Sequence, residues 1–108
     1  MFSPNQLLLP LDFSEYSAPL SHLAAEFARR FGSRLTILHV APLFPETSPD
    51  TRRSWLDNFG TEELAGLQVE RVLVCTDNDV ASAIVNYVHQ NETDLILMAT
   101  HGYGPFRR

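Results

Sequence analysis

Short, unbroken apolar runs alternate along this chain with segments of helical period, and this feature restricts its fold more than any other. Leu7-Leu8-Leu9 closes on Pro10-Leu11-Asp12. Arg34 to Val40 and Val69 to Cys75 are rich in β-branched and leucine residues, and Asp94 leads into Leu95-Ile96-Leu97-Met98-Ala99. Apolar runs too short for a helix and without alternation suit strands covered on both faces. We therefore expect strands at residues 6–11, 34–40, 69–75 and 95–99. Between the first two, Leu20, Leu23, Ala24, Phe27 and Phe31 share one helical face. Ser14 and Ser17 are both cap candidates, with Ser17 favoured because it puts Pro19 in the first turn; Arg29 and Arg30 suit the C-terminal end, and Gly32 supplies a left-handed stop.

Ala41 to Arg53 carries Pro42, Pro45 and Pro49 among small polar residues and reads as loop. A weaker helix is expected from Ser54 to Ala65, where Trp55, Leu56, Phe59 and Leu64 are apolar. Gly60 inside it costs up to about 1 kcal/mol relative to alanine, so it should be short, broken or mobile. Asp79 is the expected N-cap of a third helix, with Ala81, Ile84, Val85 and Val88 on one face and its end at Asn91. Thr100 to Pro105 is a turn. The order β-α-β-α-β-α-β with short connections implies parallel, right-handed crossovers, hence an α/β fold with an open, doubly wound parallel sheet.

Composition narrows the function. At 108 residues and 44% hydrophobic the chain fits one domain, and folding would bury about 60–70% of its unfolded surface without disulfide or metal staples. The single Cys75 cannot form an internal bridge and suits a reducing compartment, so a cytoplasmic location is expected. Met1 to Leu11 does not read as a signal peptide, and no apolar stretch approaches the ~20 residues of a membrane span. A net charge of −5, with arginines scattered apart from the terminal Arg107-Arg108, argues against a nucleic-acid partner. There is no lysine at all, which removes P-loop NTPase and Schiff-base chemistry.

In an open parallel sheet, ligands bind outside the carboxyl ends of the strands where strand order reverses. Pro10-Leu11-Asp12, Val40-Ala41 and Ala99-Thr100-His101-Gly102 all fall at such ends. Asp12 offers a carboxylate to hydroxyls or an exocyclic amine, or else bonds its own backbone as a turn residue. Val40 offers an apolar surface to a ring, and the glycine-containing turn offers backbone N–H groups to an anion. His101 reads as a structural or backbone-contact residue rather than a catalytic base, because no nucleophile or orienting carboxylate accompanies it in sequence. His39 reads as a packed or hydrogen-bonded core histidine, His22 and His89 as solvated helix residues, and Cys75 as a small buried hydrophobe. Asp77 and Asp79 do not make a phospho-acceptor site, which would need an acidic pair after the first strand and a lysine. No catalytic residue and no metal ligand is assigned.

Leu9-Pro10-Leu11-Asp12-Phe13-Ser14, Leu38-His39-Val40 and Asp94-Leu95-Ile96-Leu97-Met98-Ala99-Thr100-His101-Gly102 resemble the universal stress protein family. The resemblance implies a Rossmann-like, adenine nucleotide alpha hydrolase-like sheet in the order 3-2-1-4-5, usually dimeric. Its ATP-binding members hold phosphates with Gly-x-x-Gly-x9-Gly-Ser/Thr after strand four. By position it implies cofactor-binding roles for Pro10, Leu11, Asp12, Val40, Met98, Ala99, Thr100, His101 and Gly102, with Asp12 at the adenine or ribose, Val40 at the adenine, and Ala99 to Gly102 at the phosphates. Ala99 stands where the family has its first glycine, and the third glycine with its Ser/Thr would fall past Arg108. We accordingly expect one domain over residues 1–108, shortened at its C-terminus, with strand order 3-2-1-4 and the usual fifth strand missing. The implied function is a non-enzymatic stress-response module that binds ATP or AMP weakly or not at all, with ATP little better than AMP and Mg accompanying ATP. A slow ATPase and a ligand-free interaction domain are the alternatives. The flat apolar edge of the fourth strand implies a homodimer or larger assembly.

Overall fold

The computed structural model describes residues 4–43 and 47–98. Strands β1 (Gln6–Pro10), β2 (Arg34–Pro42), β3 (Val69–Thr76) and β4 (Leu95–Ile96) form a parallel sheet in the order β3-β2-β1-β4. Helices α1 (Ser17–Phe31), α2 (Pro49–Asn58) and α3 (Val80–Gln90) connect them. This is the expected doubly wound arrangement with order 3-2-1-4.

Leu7 pairs with both Leu35 and Leu95, so β1 is an inner strand, and Leu7, Leu8 and Leu9 are all buried. Their unbroken apolar run has a physical cause, because both faces of the strand are covered. Leu7, Leu9, Leu35 and Ile37 pack with Ala24, Ala25 and Ala28 of α1 and with Leu56 of α2. On the opposite face Leu8 and Leu38 pack with Ile84 of α3, flanked by Val40, Val72 and Tyr87. The carboxylate of Asp94 accepts the N–H groups of Asn5 at 2.8 Å and Gln6 at 2.9 Å, tying the start of β1 to the segment leading into β4.

Several local expectations are corrected. The buried side of α1 is Ser17, Ser21, Ala24, Ala25 and Ala28, whereas Leu23 is 48% exposed. Small residues let the helix axis approach the sheet, and the larger Leu20 and Phe27 pack from the flanks. Ser17 is the first helical residue and not the cap; Tyr16 occupies that position without a side-chain cap. The turn before it is built by Ser14, whose carbonyl accepts the Ser17 N–H at 3.0 Å and whose hydroxyl accepts the Tyr16 N–H at 3.3 Å.

Helix α2 begins at Pro49 and ends at Asn58, so neither a loop reaching Arg53 nor a helix over Ser54 to Ala65 is correct. Ser48 accepts the Thr51 N–H at 3.2 Å, Pro49 sits in the first turn where a missing N–H costs nothing, and Asp50 faces the positive helix end. Gly60, at φ +62°, lies beyond the helix and turns the chain. Asp79 does cap α3, accepting the Ser82 N–H at 2.6 Å, and Asn91 follows its last turn. Ala83 and Ile84 are the buried residues of that helix, while Ala81 and Val85 are exposed.

The outer strands are less covered than their composition suggests. Cys75 on β3 is exposed rather than buried. β4 spans only Leu95–Ile96, with the Leu97 N–H continuing the ladder to the Leu8 carbonyl at 2.9 Å. Ile96 and Met98 are exposed. Ala99 and the turn Thr100 to Pro105 lie outside the described residues. Among the described residues, no helix is long and apolar enough to cross a membrane.

Candidate functional site

The register Pro10↔Leu38 ends the β1–β2 pairing while β2 runs on to Pro42 beside β3. Residues 39–42 therefore form a ledge beyond the end of β1, with the Leu11–Asp12 turn beside it. Leu11 is buried, and its N–H donates to the Leu38 carbonyl at 2.8 Å. Asp12 is exposed; its Oδ1 accepts the Ser14 N–H at 2.9 Å and, more loosely, the Ser17 hydroxyl at 3.5 Å. The turn-capping role of Asp12 is thus present, and the same turn presents its carboxylate at the end of the sheet. Phe13 follows at φ +60°, a left-handed conformation that costs a bulky residue about 1–2 kcal/mol. An aromatic cluster holds it there: His39, Trp55 and Phe59 meet its ring edge-to-face at centroid distances of 4.6, 5.6 and 6.3 Å.

His39 is buried, as expected, and both ring nitrogens are engaged. Nδ1 lies 2.7 Å from the Leu11 carbonyl, and Nε2 lies 2.9 Å from an Arg52 guanidinium nitrogen. A carbonyl only accepts and a guanidinium only donates, so the ring must be neutral, with its proton on Nδ1. Burial lowers the His39 pKa below the ordinary 6.5; the Leu11 bond opposes this, Arg52 adds to it and Asp12 opposes it. The neutral state is therefore favoured in the folded chain. The stability this contributes is complete above pH 6.5 and is lost as pH falls below that value towards the folded pKa.

Val40 is half-buried on the α3 side of the sheet, and Met98 is exposed beyond the end of β4. Pro10, Leu11, Asp12, Val40 and Met98 thus come to the same end of the sheet. Ala99, Thr100, His101 and Gly102 lie outside the described residues. Arg52, Phe13 and Trp55 were not anticipated. Arg52 was hidden in a segment read as loop, although Ser48-Pro49-Asp50 is a helix-start signal. Phe13 had no sequence signal for its left-handed backbone.

His22 is exposed but ion-paired rather than simply solvated, with Nε2 2.8 Å from Glu26 and Nδ1 2.5 Å from Glu63. The Glu63 hydrogen bond is the main cause of its raised pKa. Its two nitrogens face different carboxylates, so one metal ion cannot use both, and no metal-binding group of three was found among the described residues. A cavity of about 330 Å³ bordered by Gln6, Arg34, Thr36, Gln68 and Glu70 lies at the opposite, N-terminal end of the strands.

The chain matches the family model described as the Universal stress protein family over residues 4–108. It is similar to a crystal structure of a universal stress protein family member from Burkholderia pseudomallei, at 25% identity and TM-score 0.71, covering 90% of this chain and 82% of that one. A universal stress protein from Archaeoglobus fulgidus superposes with TM-score 0.76 at 17% identity, covering 96% and 82%. One from the same organism in complex with dAMP superposes with TM-score 0.72 at 17% identity, covering 90% and 82%. No curated protein sequence matches the chain.

Proposed function

The chain belongs to the universal stress protein family, and on that premise we propose that it binds an adenine nucleotide, ATP or AMP, at the carboxyl ends of β1, β2 and β4. The observation that carries this reading is the exposed Asp12 carboxylate, set by its own turn beside the β2 ledge in a fold shared with a relative crystallised with dAMP. In this reading Asp12 takes the ribose hydroxyls or the adenine amine, Val40 meets the ring, and the backbone from Ala99 to Gly102 meets the phosphates. Mg accompanies ATP. The module acts in stress response by binding, without turnover, and we assign it to the cytoplasm, where the exposed thiol of Cys75 stays reduced.

Asp12→Ala should weaken AMP binding about tenfold, since a charge-assisted hydrogen bond contributes ~1.5 kcal/mol or more. It should also cost ~1 kcal/mol of stability, because the Ser14 N–H loses its acceptor. Calorimetry with AMP on both proteins checks this. Absence of AMP binding by the wild type overturns the nucleotide reading, and equal affinity in the variant returns Asp12 to the turn alone.

We also propose that the chain self-associates through β4. That strand is the outermost described strand on its side of the sheet, and Ile96 and Met98 are exposed. An apolar edge without lysine or proline invites pairing. Sedimentation at micromolar concentration should show a dimer or larger species that Ile96→Arg shifts to monomer. A wild-type monomer contradicts this.

A further inference from the structure

We propose that His39 is a positioning residue for the nucleotide site: in its neutral form it holds both neighbours of Asp12, and its protonation weakens adenosine binding. The proposal rests on the adenine-nucleotide reading above and adds to it a control by pH.

The juxtaposition is specific. Asp12 stands between Leu11, whose carbonyl accepts the His39 Nδ1–H, and Phe13, whose ring packs against the imidazole at 4.6 Å. One buried side chain thus restrains the residue before and the residue after the candidate ligand-binding carboxylate. Arg52 on α2 restrains the imidazole in turn, through the 2.9 Å contact to Nε2, and is itself bonded to the Thr47 carbonyl at 3.4 Å. The left-handed Phe13 makes such restraint necessary, because a bulky residue leaves that conformation unless its surroundings hold it.

The charged groups that bear on His39 are Arg52 from α2 and Asp12 from the β1–α1 turn; its β3 neighbour is the apolar Leu73. Protonation puts a second N–H donor against the Arg52 guanidinium, which has no lone pair to accept it. The Arg52 contact is lost, and the imidazolium draws the Asp12 carboxylate inward, away from a ligand. Ligand binding and His39 protonation therefore oppose one another, and by linkage affinity falls with acidification.

Adenosine is the probe, because unlike AMP it has no phosphate that titrates near neutrality. Its dissociation constant is measured by calorimetry between about pH 5 and 8, the range in which histidine titrates. For the wild type, affinity should be constant at neutral pH and fall once the pH drops through the folded-state value of His39, which burial holds below 6.5, approaching tenfold per pH unit once His39 is mostly protonated. His39→Asn, whose amide can donate to the Leu11 carbonyl and accept from Arg52 but does not titrate, should bind within about threefold of wild type at pH 7.5 and lack the acid loss. Arg52→Met should move the loss to higher pH, because a positive neighbour is removed. A flat wild-type profile, or the same acid loss in His39→Asn, overturns the proposal. NMR titration without ligand provides a second arm: the Phe13 and Ser14 amide shifts should follow the His39 ring midpoint, and failure to do so also overturns it. If adenosine does not bind at any pH, the nucleotide reading fails, and the NMR arm alone decides whether His39 positions the turn.

Discussion

Leu9→Ala is expected to lower the unfolding free energy by about 3–4 kcal/mol, a large share of the 5–15 kcal/mol typical of a domain. Leu9 is fully buried on β1 and belongs to the cluster that includes Ile37, Ala24, Ala25 and Ala28. Those alanines already bring α1 close to the sheet, so the backbone has little room to collapse into the space a leucine leaves. The cavity cost then adds to the lost transfer energy. Urea unfolding should show a lower midpoint with an unchanged slope. Val85→Ala, on an exposed position of α3, should change stability by less than about 0.5 kcal/mol. A Leu9→Ala loss below about 1 kcal/mol contradicts the packing of α1 and α2 against this face of the sheet.

The second large effect is expected at Arg71 on β3. Its guanidinium donates to the Leu56 carbonyl at 3.0 Å and to the Phe59 carbonyl at 2.7 Å, covering the C-terminal end of α2. Arg71→Met keeps most of the apolar stem but removes both donors. With Leu56 fully buried, the loss is expected to be about 2–3 kcal/mol, the range for hydrogen bonds from a charged group. Because α2 carries Arg52 and Trp55, the variant should also loosen the support of Phe13 and His39, seen as a change in their ring resonances. Unchanged stability and unchanged rings would show that α2 is held by its apolar contacts alone.

The parts of the fold legible in sequence are those that follow from local pattern. The triple leucine of β1 is unbroken because α1 and α3 cover opposite faces, and Asp79 caps α3 because its side chain reaches only three residues ahead. Elsewhere the controlling information is tertiary or a local signal is masked. Pro49 looked like a loop residue among other prolines, although behind Ser48 it opens a helix. Leu23 lost its place in the core to Ala25 and Ala28, because close approach of helix to sheet selects small side chains over large apolar ones. Cys75 and Ile96 have buried-strand compositions but lie on outer strands, and strand order is not a local property. At the site, Asp12 and Val40 could be placed from the ends of their strands. Arg52 could not, because its contact to His39 bridges thirteen residues and depends on where α2 starts.

The measurement that bears most directly on nucleotide binding is an NMR titration of the isotope-labelled chain with AMP, followed residue by residue. Shift changes are expected to concentrate at Leu11, Asp12, Ser14, Val40, Ala41 and Met98, with Gln6, Arg34, Thr36, Gln68 and Glu70 at the opposite end of the strands unmoved. Changes confined to that opposite end, where the cavity lies, or no changes at millimolar AMP, would contradict it.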